Sequence, residues 1–562
     1  MHLVGALTEP KRQSLHSWAG GSFAETSWND VVADAHRVAV GLRRLGVGPG
    51  VRVATVLTNS PAVVRGLLGV WLAGGVVSSL PVPARAMGIE VYADQIATLS
   101  SHASSPVLLL EPRLIEALRD PLGGRCDMRA WDSLAADGPL DPSPPEGDEL
   151  ALIQYSSGST STPKGCALTA RAIGNQIDTL AEMVSAVPGE DRVGSWLPLS
   201  HDMGLFGCLL FPWACDLALA LSTPERFMYD PRTWFGDWAD FGATLSAGPP
   251  SALQVATRAQ SSSRLSRELR MRACVIGAER IAWPVLDGAT RALSPYGLGA
   301  RAWMPAYGMA ETTLAISAVA LDEEPSCRHV DSSALADGDI RELADGAEAA
   351  TPIVSAGRPC AGVEVRLERS DRLSEINVRS TSLADGYFGE PEKTSERFID
   401  GELATRDLGF VRDGELYVVG RSDDVLSLAG RKVYAREIEA TVDLLEQVRS
   451  GCSTIVDVGG EEHRRLVMLI ELKDERADCR GLAAEVSRTA KVKAGVLLDE
   501  CIFLQRGALP KTPTGKIQRF RCRHLVASDG LEPLARVALR VKGAPRFRAR
   551  EPRPAPAPVE AA

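Results

Sequence analysis

The 11 cysteines of this chain include no pair at CxxC spacing and form no evenly spaced framework. A tetrahedral zinc site or a disulfide-stapled scaffold would need such spacing, so neither is expected. Free thiols in a reducing cytosol are the simplest account, and the protein is read as cytoplasmic. No run of about 18 uninterrupted apolar residues occurs, so no membrane-spanning helix or membrane insertion is expected. The nearest candidate, GVWLAGGVVSSLPVPA (69–84), is broken by glycines, serines and prolines and reads as a buried passage from helix to strand. The N-terminal MHLVGALTEPKRQ lacks the long apolar run of a signal peptide. Positive charge is in deficit: 62 Lys and Arg stand against 72 Asp and Glu, a net charge of −10. That balance argues against a general nucleic-acid binder, although a local cradle could still hold an anionic nucleotide. No repeat of 20–50 residues is evident. The common nucleotide-hydrolase loop, GxxxxGK followed by Ser or Thr, is absent as well.

What is present is an ordinary soluble-enzyme composition on a chain too long for one core. The 562 residues are 45% hydrophobic and 24% charged, and two or more domains are expected. Helix-like and strand-like segments alternate from the start. DVVADAHRVAVGLRRLG (30–46) has helical apolar spacing and a terminal glycine. RVATVL (52–57) reads as a buried strand, and SPAVVRGLLGVWLAGG (60–75) returns to helix. The alternation resumes in ATLSAGPPSALQVATRA (243–259) and RACVIGAE (272–279). It predicts an α/β fold whose large N-terminal domain, 1–419, is built of helix-covered sheets. Ligands in such folds sit at the carboxyl ends of the strands. Beyond 420 the pattern changes to a small α+β domain over 420–526, with helix-like runs at 435–448 and 479–493 and strands at 453–458 and 465–472. The remainder, 527–562, is rich in Pro, Ala and Arg and is expected to be a disordered tail.

The richest local signal is YSSGSTSTPKG (155–165), preceded by the apolar run LALIQ (150–154). A strand feeding a Gly/Ser/Thr loop that carries a lysine is a phosphate cradle, in which N–H groups, hydroxyls and an ammonium surround the oxygens. Six further segments follow in order. They are LPLSHDMGLFG (197–207), YGMAETT (307–313), GYFGEPEKT (386–394), TRDLGF (405–410), GRSDDVLSLAGRKVYAREIE (420–439) and LPKTPTGKIQR (509–519). With the upstream stretch 42–84, these resemble the adenylate-forming superfamily of acyl-CoA synthetases, peptide-synthetase adenylation domains, luciferases and fatty acyl-AMP ligases. The resemblance covers nearly everything but the last ~35 residues.

The resemblance implies an enzyme using ATP and Mg²⁺. It assigns Ser157, Ser159, Thr160 and Lys164 to the β- and γ-phosphates, and Glu311 to Mg²⁺, an ion that favours one or two carboxylates beside phosphate oxygens. Tyr307 matches the aromatic residue on adenine, and Gly277, Ala278 and Glu279 the segment beside the base. Asp407 matches the ribose-binding aspartate, whose two acceptor oxygens suit a vicinal diol, with Arg421 as a second ribose or phosphate contact. Asp424 matches the hinge of a mobile small domain. Lys516 matches the adenylation lysine, on a loop suited to a swinging group. His201 matches a histidine beside the acyl and nucleophile channel. Trp196, Leu199, Met203, Leu205 and Phe206 around it are equally readable as acyl pocket or as core. Departures from the family pattern stand at Ser161, Ser200, Arg406, where the usual residue is glycine, and Asp423. At Ala310, where many members have threonine, fatty acyl-AMP ligases commonly have alanine.

SWLPLSHDMGLFG (195–207), AYGMAETTLAIS (306–317) and the long connection 321–352 resemble the fatty acyl-AMP ligase branch most. In that branch the insertion restrains the small domain, and the acyl group passes from the adenylate to a phosphopantetheine thiol of an acyl carrier protein. No carrier domain follows residue 530, so a carrier in trans is expected. A CoA, aryl or amino-acid ligase of the same superfamily remains an alternative, as does a non-catalytic scaffold that binds nucleotide or carrier.

Overall fold

The computed structural model describes residues 2–83, 87–155, 164–260, 263–347, 350–421, 425–428, 431–458, 465–494, 496–511 and 517–539. The chain divides into two compact units, Met1–Tyr434 with Pro510–Arg521, and Ala435–Leu509 with Cys522–Ala562. Residues 420–434 therefore lie with the first unit, because the strand Glu415–Arg421 is paired along its length with Glu402–Arg412.

The first unit holds two largely parallel sheets. One has six strands, with Arg52–Val56, Val76–Leu80 and Leu150–Tyr155 as parallel neighbours and Gly165–Thr169 antiparallel at the edge. The other has nine, with Arg192–Ser195, Leu245–Gly248, Ala273–Ile276 and Trp303–Gly308 running parallel in that order. Helices form where the sequence caps them. Ser27 accepts from the Asp30 N–H at the start of Trp28–Arg44, and Ser60 with Pro61 starts Pro61–Leu72. The two helices pack closely: a Cβ on Gly69 would lie 2.8 Å from Val38 Cγ1. Trp71 pins this layer to the sheet by donating its indole N–H to the Ala151 carbonyl at 2.9 Å.

A third, antiparallel sheet is formed by Val363–Leu367, Ser374–Ser380, Phe398–Ile399, Glu402–Arg412 and Glu415–Arg421. The described part of the long connection, 321–347 and 350–352, packs against it. Cys327–Asp331 pairs with Ala350–Val354, and Val330, Leu335 and Ile353 share a core with Phe410, Tyr417 and Val419.

In the second unit the strands Val448–Val458, Arg465–Leu472, Glu500–Leu504 and Ala535–Ala538 form one sheet, with Ala435–Val442 and Cys479–Ala494 as its principal helices. Ala535–Ala538 falls in the stretch expected to be disordered. It is instead a strand, paired antiparallel with Glu500–Leu504. Its alternating ARVA pattern supplies the period of a strand, a signal the composition of the tail obscures. Residues 540–562 lie outside the described residues.

Two carboxylates staple this sheet, Glu439 buried and Asp443 half-buried. Glu439, 8% exposed, accepts from the Thr454 hydroxyl at 2.9 Å and the Ile455 N–H at 2.7 Å. Asp443, one helical turn on, accepts from the Ser453 hydroxyl at 2.7 Å. Burial, with a further contribution from the Glu439 charge, raises Asp443 to about 7, against the opposing Ser453 hydrogen bond. A carboxyl whose folded pKa lies above its unfolded value stabilises the fold while protonated. That contribution is lost as pH rises through about 7. Thermal melting at pH 5.5 and pH 8 should therefore show a loss of stability at the higher pH that Asp443→Asn greatly reduces. An equal loss in both proteins would contradict the assignment.

Candidate active site

Three loops leave adjacent parallel strands at the same end. GPP follows Leu245–Gly248, GAE follows Ala273–Ile276, and the GMAETT turn completes Trp303–Gly308. They are stitched together. Gly277 N–H donates to the Gly248 carbonyl at 3.3 Å, and a Cβ on Gly277 would meet the Ala306 oxygen at 3.1 Å. The Glu279 carboxylate accepts from the Ser251 N–H at 3.2 Å and its hydroxyl at 3.1 Å. Glu279 thus ties the GAE turn to the start of the helix Pro250–Gln260.

The turn carrying Glu311 is strained. Thr313 has φ 65° and ψ −54° and is bridged by a Leu314 N–H to Thr312 carbonyl bond of 2.8 Å, an uncommon and costly γ-turn. The buried Thr313 hydroxyl holds it by donating to Ser382 at 2.7 Å. Glycine is required at 308, where a Cβ would strike the Leu314 carbonyl at 1.9 Å. Glu311 itself accepts from the Tyr387 hydroxyl at 2.8 Å, and its carbonyl accepts from Ala384 N–H at 2.9 Å.

Tyr387 reaches Glu311 because its segment is laced to the strand after the phosphate loop. Phe388 N–H donates to Gly165 at 2.8 Å, Ala167 N–H to Gly386 at 2.9 Å, and Asp385 N–H to Ala167 at 2.9 Å. Lys164 lies over the Tyr387 ring, 4.8 Å from its centroid. Burial first, then the Arg397 charge, lowers the Lys164 pKa, while Glu311 opposes the shift. Ser157, Ser159 and Thr160 lie outside the described residues, as do Asp424 and Lys516. Of the motif around Lys516, Lys511 and Ile517 face each other across an isolated antiparallel bridge.

Asp407 is placed by a bulge. In the pairing of Ser374–Ser380 with Glu402–Arg412, Glu375 faces Leu408 and Asn377 faces Ala404. Thr405, Arg406 and Asp407 thus oppose Ile376 alone, a distortion that re-aims side chains. The Thr405 hydroxyl secures it, donating to the Ile376 carbonyl at 2.7 Å and accepting from Asp407 N–H at 3.0 Å. Asp407, 8% exposed, receives the Tyr307 hydroxyl at 2.5 Å and lies 3.9 Å from Arg421, its cross-strand neighbour. Burial raises its pKa, while Arg421 and the Tyr307 hydrogen bond work against that rise. The predicted base and ribose residues Tyr307, Asp407 and Arg421 are therefore together.

His201 lies before a π-helical segment, Met203–Leu210, with its Nδ1 2.6 Å from Asp202 Oδ1. Such wide turns often mark functional sites. Gly204 permits this one: a Cβ there would meet the Pro198 carbonyl at 2.2 Å. Leu199, Leu205 and Phe206 are fully buried in the main core. Trp196 and Met203 belong to a separate aromatic cluster, where Trp196 stacks on Phe227 with centroids 3.8 Å apart.

Backbone strain also maps the site. Apart from Ser and Asp residues, the non-glycine positions with left-handed φ among the described residues are Ala278, Thr313 and Arg406. Each costs on the order of 1–3 kcal/mol, and each sits in a turn or bulge just described. Tyr387 and Arg397 are site residues that sequence reading missed. Tyr387 lay inside a recognised motif but was not singled out. Arg397, which donates to the Ala404 and Thr405 carbonyls, carries no motif signal at all.

No group of three or more His, Cys, Asp or Glu that could hold a metal occurs among the described residues. Glu311, one carboxylate with Oε1 fixed by a tyrosine hydroxyl, fits an ion that draws its remaining ligands from phosphates and water.

Tyr307→Phe would keep the ring but remove the donor that favours the Asp407 anion. The acid limb of nucleotide binding should then move to higher pH, measured by ATP titration between pH 4 and 7. An unmoved limb would show that Asp407 does not bind as the anion.

The fold matches that of a solved fatty acyl-adenylate ligase, from work on the E. coli and L. pneumophila enzymes, with a TM-score of 0.85. That match covers 94% of this chain and 98% of the other at 23% identity. A putative acyl-CoA synthetase of Caulobacter vibrioides is 29% identical over 86% of this chain and 87% of its own length. JamA of Moorena producens, a medium-chain fatty acid–acyl-carrier-protein ligase, is 30% identical over 67% of each chain. The AMP-binding enzyme family model matches residues 6–388. The chain belongs to the AMP-binding enzyme family.

Proposed function

We propose that this enzyme activates a carboxylic acid with ATP to an acyl adenylate, releasing pyrophosphate, and passes the acyl group to a carrier-protein thiol. The observation that carries the reading is the juxtaposition of two kinds of site. A carboxylate–tyrosine–arginine set suited to a nucleoside (Asp407, Tyr307, Arg421) sits with a lysine–glutamate set suited to phosphates and a divalent ion (Lys164, Glu311). In support, Glu311 stands on the turn directly after the strand that carries Tyr307, and the Tyr387 ring that donates to Glu311 lies beneath Lys164.

In the proposed reaction an acid oxygen attacks the α-phosphorus, and the bond to the β-phosphate oxygen breaks. Holding two anions in line is the main catalytic task. Asp407 fixes the ribose through both carboxylate oxygens, and Tyr307 orients that carboxylate while presenting its ring to the base. Lys164 neutralises departing phosphate oxygens. Mg²⁺, held by Glu311 and ATP, would supply further charge neutralisation. Lys516 would bridge the acid and the α-phosphate, and rotation at Asp424 would then withdraw it. Ser157, Ser159 and Thr160 would complete the phosphate cradle. His201 would position the acyl or thiol group at the channel. A carrier thiolate finally attacks the acyl carbon and AMP leaves. A fatty acid and an acyl carrier protein in trans are proposed from the activity named for JamA, in a cytoplasmic setting.

Mass spectrometry of products from ATP, Mg²⁺ and a panel of fatty, aryl and amino acids tests the reading. Each acid is run without thiol, with CoA, and with a phosphopantetheinylated carrier, beside Lys516→Ala. Adenylate that moves to the carrier and not to CoA, with adenylation lost by at least about 100-fold in the variant, is the expected result. Acyl-CoA would favour the activity named for the Caulobacter relative. Absence of adenylate from every acid would overturn the proposal.

A further inference from the structure

The strand Glu402–Arg412 departs from regular pairing on both of its edges at the same place. On one edge lies the bulge against Ile376. On the other, Phe398–Ile399 pairs with Leu403 and Glu402, and Glu415–Arg421 takes over only from Asp407. Ala404, Thr405 and Arg406 fall between those two partner strands, and their backbone groups must find partners elsewhere. The Arg406 N–H finds Glu375 Oε1 at 2.8 Å, and the Asp407 N–H finds the Thr405 hydroxyl at 3.0 Å.

Arg397 closes the gap. Its own carbonyl accepts from the Ala404 N–H at 2.8 Å. Its guanidinium turns back on the same segment, with Nε donating to the Ala404 carbonyl and Nη2 to the Thr405 carbonyl, the latter at 3.1 Å. Successive carbonyls of a regular strand point to opposite edges, so one planar fork reaches both only where the bulge turns the chain. Arg397 is 4% exposed, and among the described residues it makes no ion pair. Burying a guanidinium without a counter-charge is costly, and so is orphaning two backbone carbonyls. The two costs offset each other only while fork and bulge keep this geometry. Thr405 completes the chain of bonds: Arg397 holds its carbonyl, and its hydroxyl holds Ile376 on one side and the Asp407 N–H on the other.

We propose that Arg397 is a positioning residue for the nucleotide ribose, acting through the bulge to aim the Asp407 carboxylate without touching the nucleotide itself. The proposal rests on the reading of Asp407 as the residue that binds the ribose.

The test uses the full-length protein with Arg397→Met and Arg397→Lys, each also combined with Asp407→Asn. Calorimetry compares ATP, 2′-deoxy-ATP and inorganic pyrophosphate. Arg397→Met should lower the preference for ATP over 2′-deoxy-ATP by at least about threefold, with pyrophosphate binding within about twofold of wild type. Arg397→Lys keeps the charge but not the fork and should show a smaller fall. In the Asp407→Asn background neither substitution should lower the preference further, because residues that act as a unit are not additive. A merely structural role would weaken ATP, the deoxy analogue and pyrophosphate alike and would add to Asp407→Asn. Either result would overturn the proposal, as would an unchanged ribose preference in either variant. The preference is a ratio taken on protein shown to be folded by circular dichroism. If Arg397→Met does not fold, Arg397→Lys decides by the same comparison. A wild-type protein blind to the ribose hydroxyl would overturn both the proposal and the reading of Asp407. A wild type whose ribose preference depends on Arg397 but which adenylates no acid would refute the adenylation reading alone.

Discussion

The site depends on one distortion, the three-against-one bulge at Thr405–Asp407. In a regular antiparallel pair, alternate side chains point to opposite faces, and a one-residue slip reverses them. The bulge breaks that alternation once, and the Thr405 hydroxyl secures it by bonding to Ile376 on one side and Asp407 N–H on the other. Asp407 is thereby buried against Tyr307, while Arg421 on the next strand remains its cross-strand partner. Two sheets meet through that contact, since Tyr307 ends a strand of the nine-stranded sheet and Asp407 belongs to the antiparallel one. The hydrogen bond at 2.5 Å joins the residue proposed for the base to the residue proposed for the ribose.

The surrounding loops add fixed charge and stored strain. Burying Asp407 and Lys164 pushes both towards neutrality, and each is held back by opposite charge, Arg421 for the acid and Glu311 for the lysine. Such compensation leaves a polar site that need not reorganise when a charged nucleotide enters. The γ-turn at Thr313 and the left-handed Ala278 fix where Glu311 and the GAE segment lie. The close approach at Gly308 leaves no room for a side chain, and that at Gly277 is tight.

Much of this was legible in the sequence, for a definite reason. Alternation of apolar runs gave the parallel strands, because a buried strand must be apolar on both faces. The motifs gave Tyr307, Asp407 and Arg421, which the structure brings into contact, and Glu311, which it sets against Tyr387. What was not legible depends on contacts distant in sequence. The π-helical turn after His201 rests on Gly204 fitting against a carbonyl six residues earlier. Tyr387 becomes a site residue only because its segment pairs with Gly165–Thr169. Arg397 has no signal beyond a common residue type. Arg406 was visible as a departure, but its left-handed backbone, which explains why glycine is usual there, required the structure. The strand Ala535–Ala538 was hidden by a composition typical of disorder.

The central claim is that Asp407, oriented by Tyr307, receives the ribose diol of a nucleotide. It is tested most directly by comparing ATP with 2′-deoxy-ATP and 3′-deoxy-ATP in the wild type and in Asp407→Asn, by binding calorimetry at pH 7.5. Wild-type protein should prefer ATP to either deoxy analogue by about tenfold or more, and the variant should lose most of that preference. A variant that discriminates as well as the wild type would contradict the account, because the diol would then be read elsewhere.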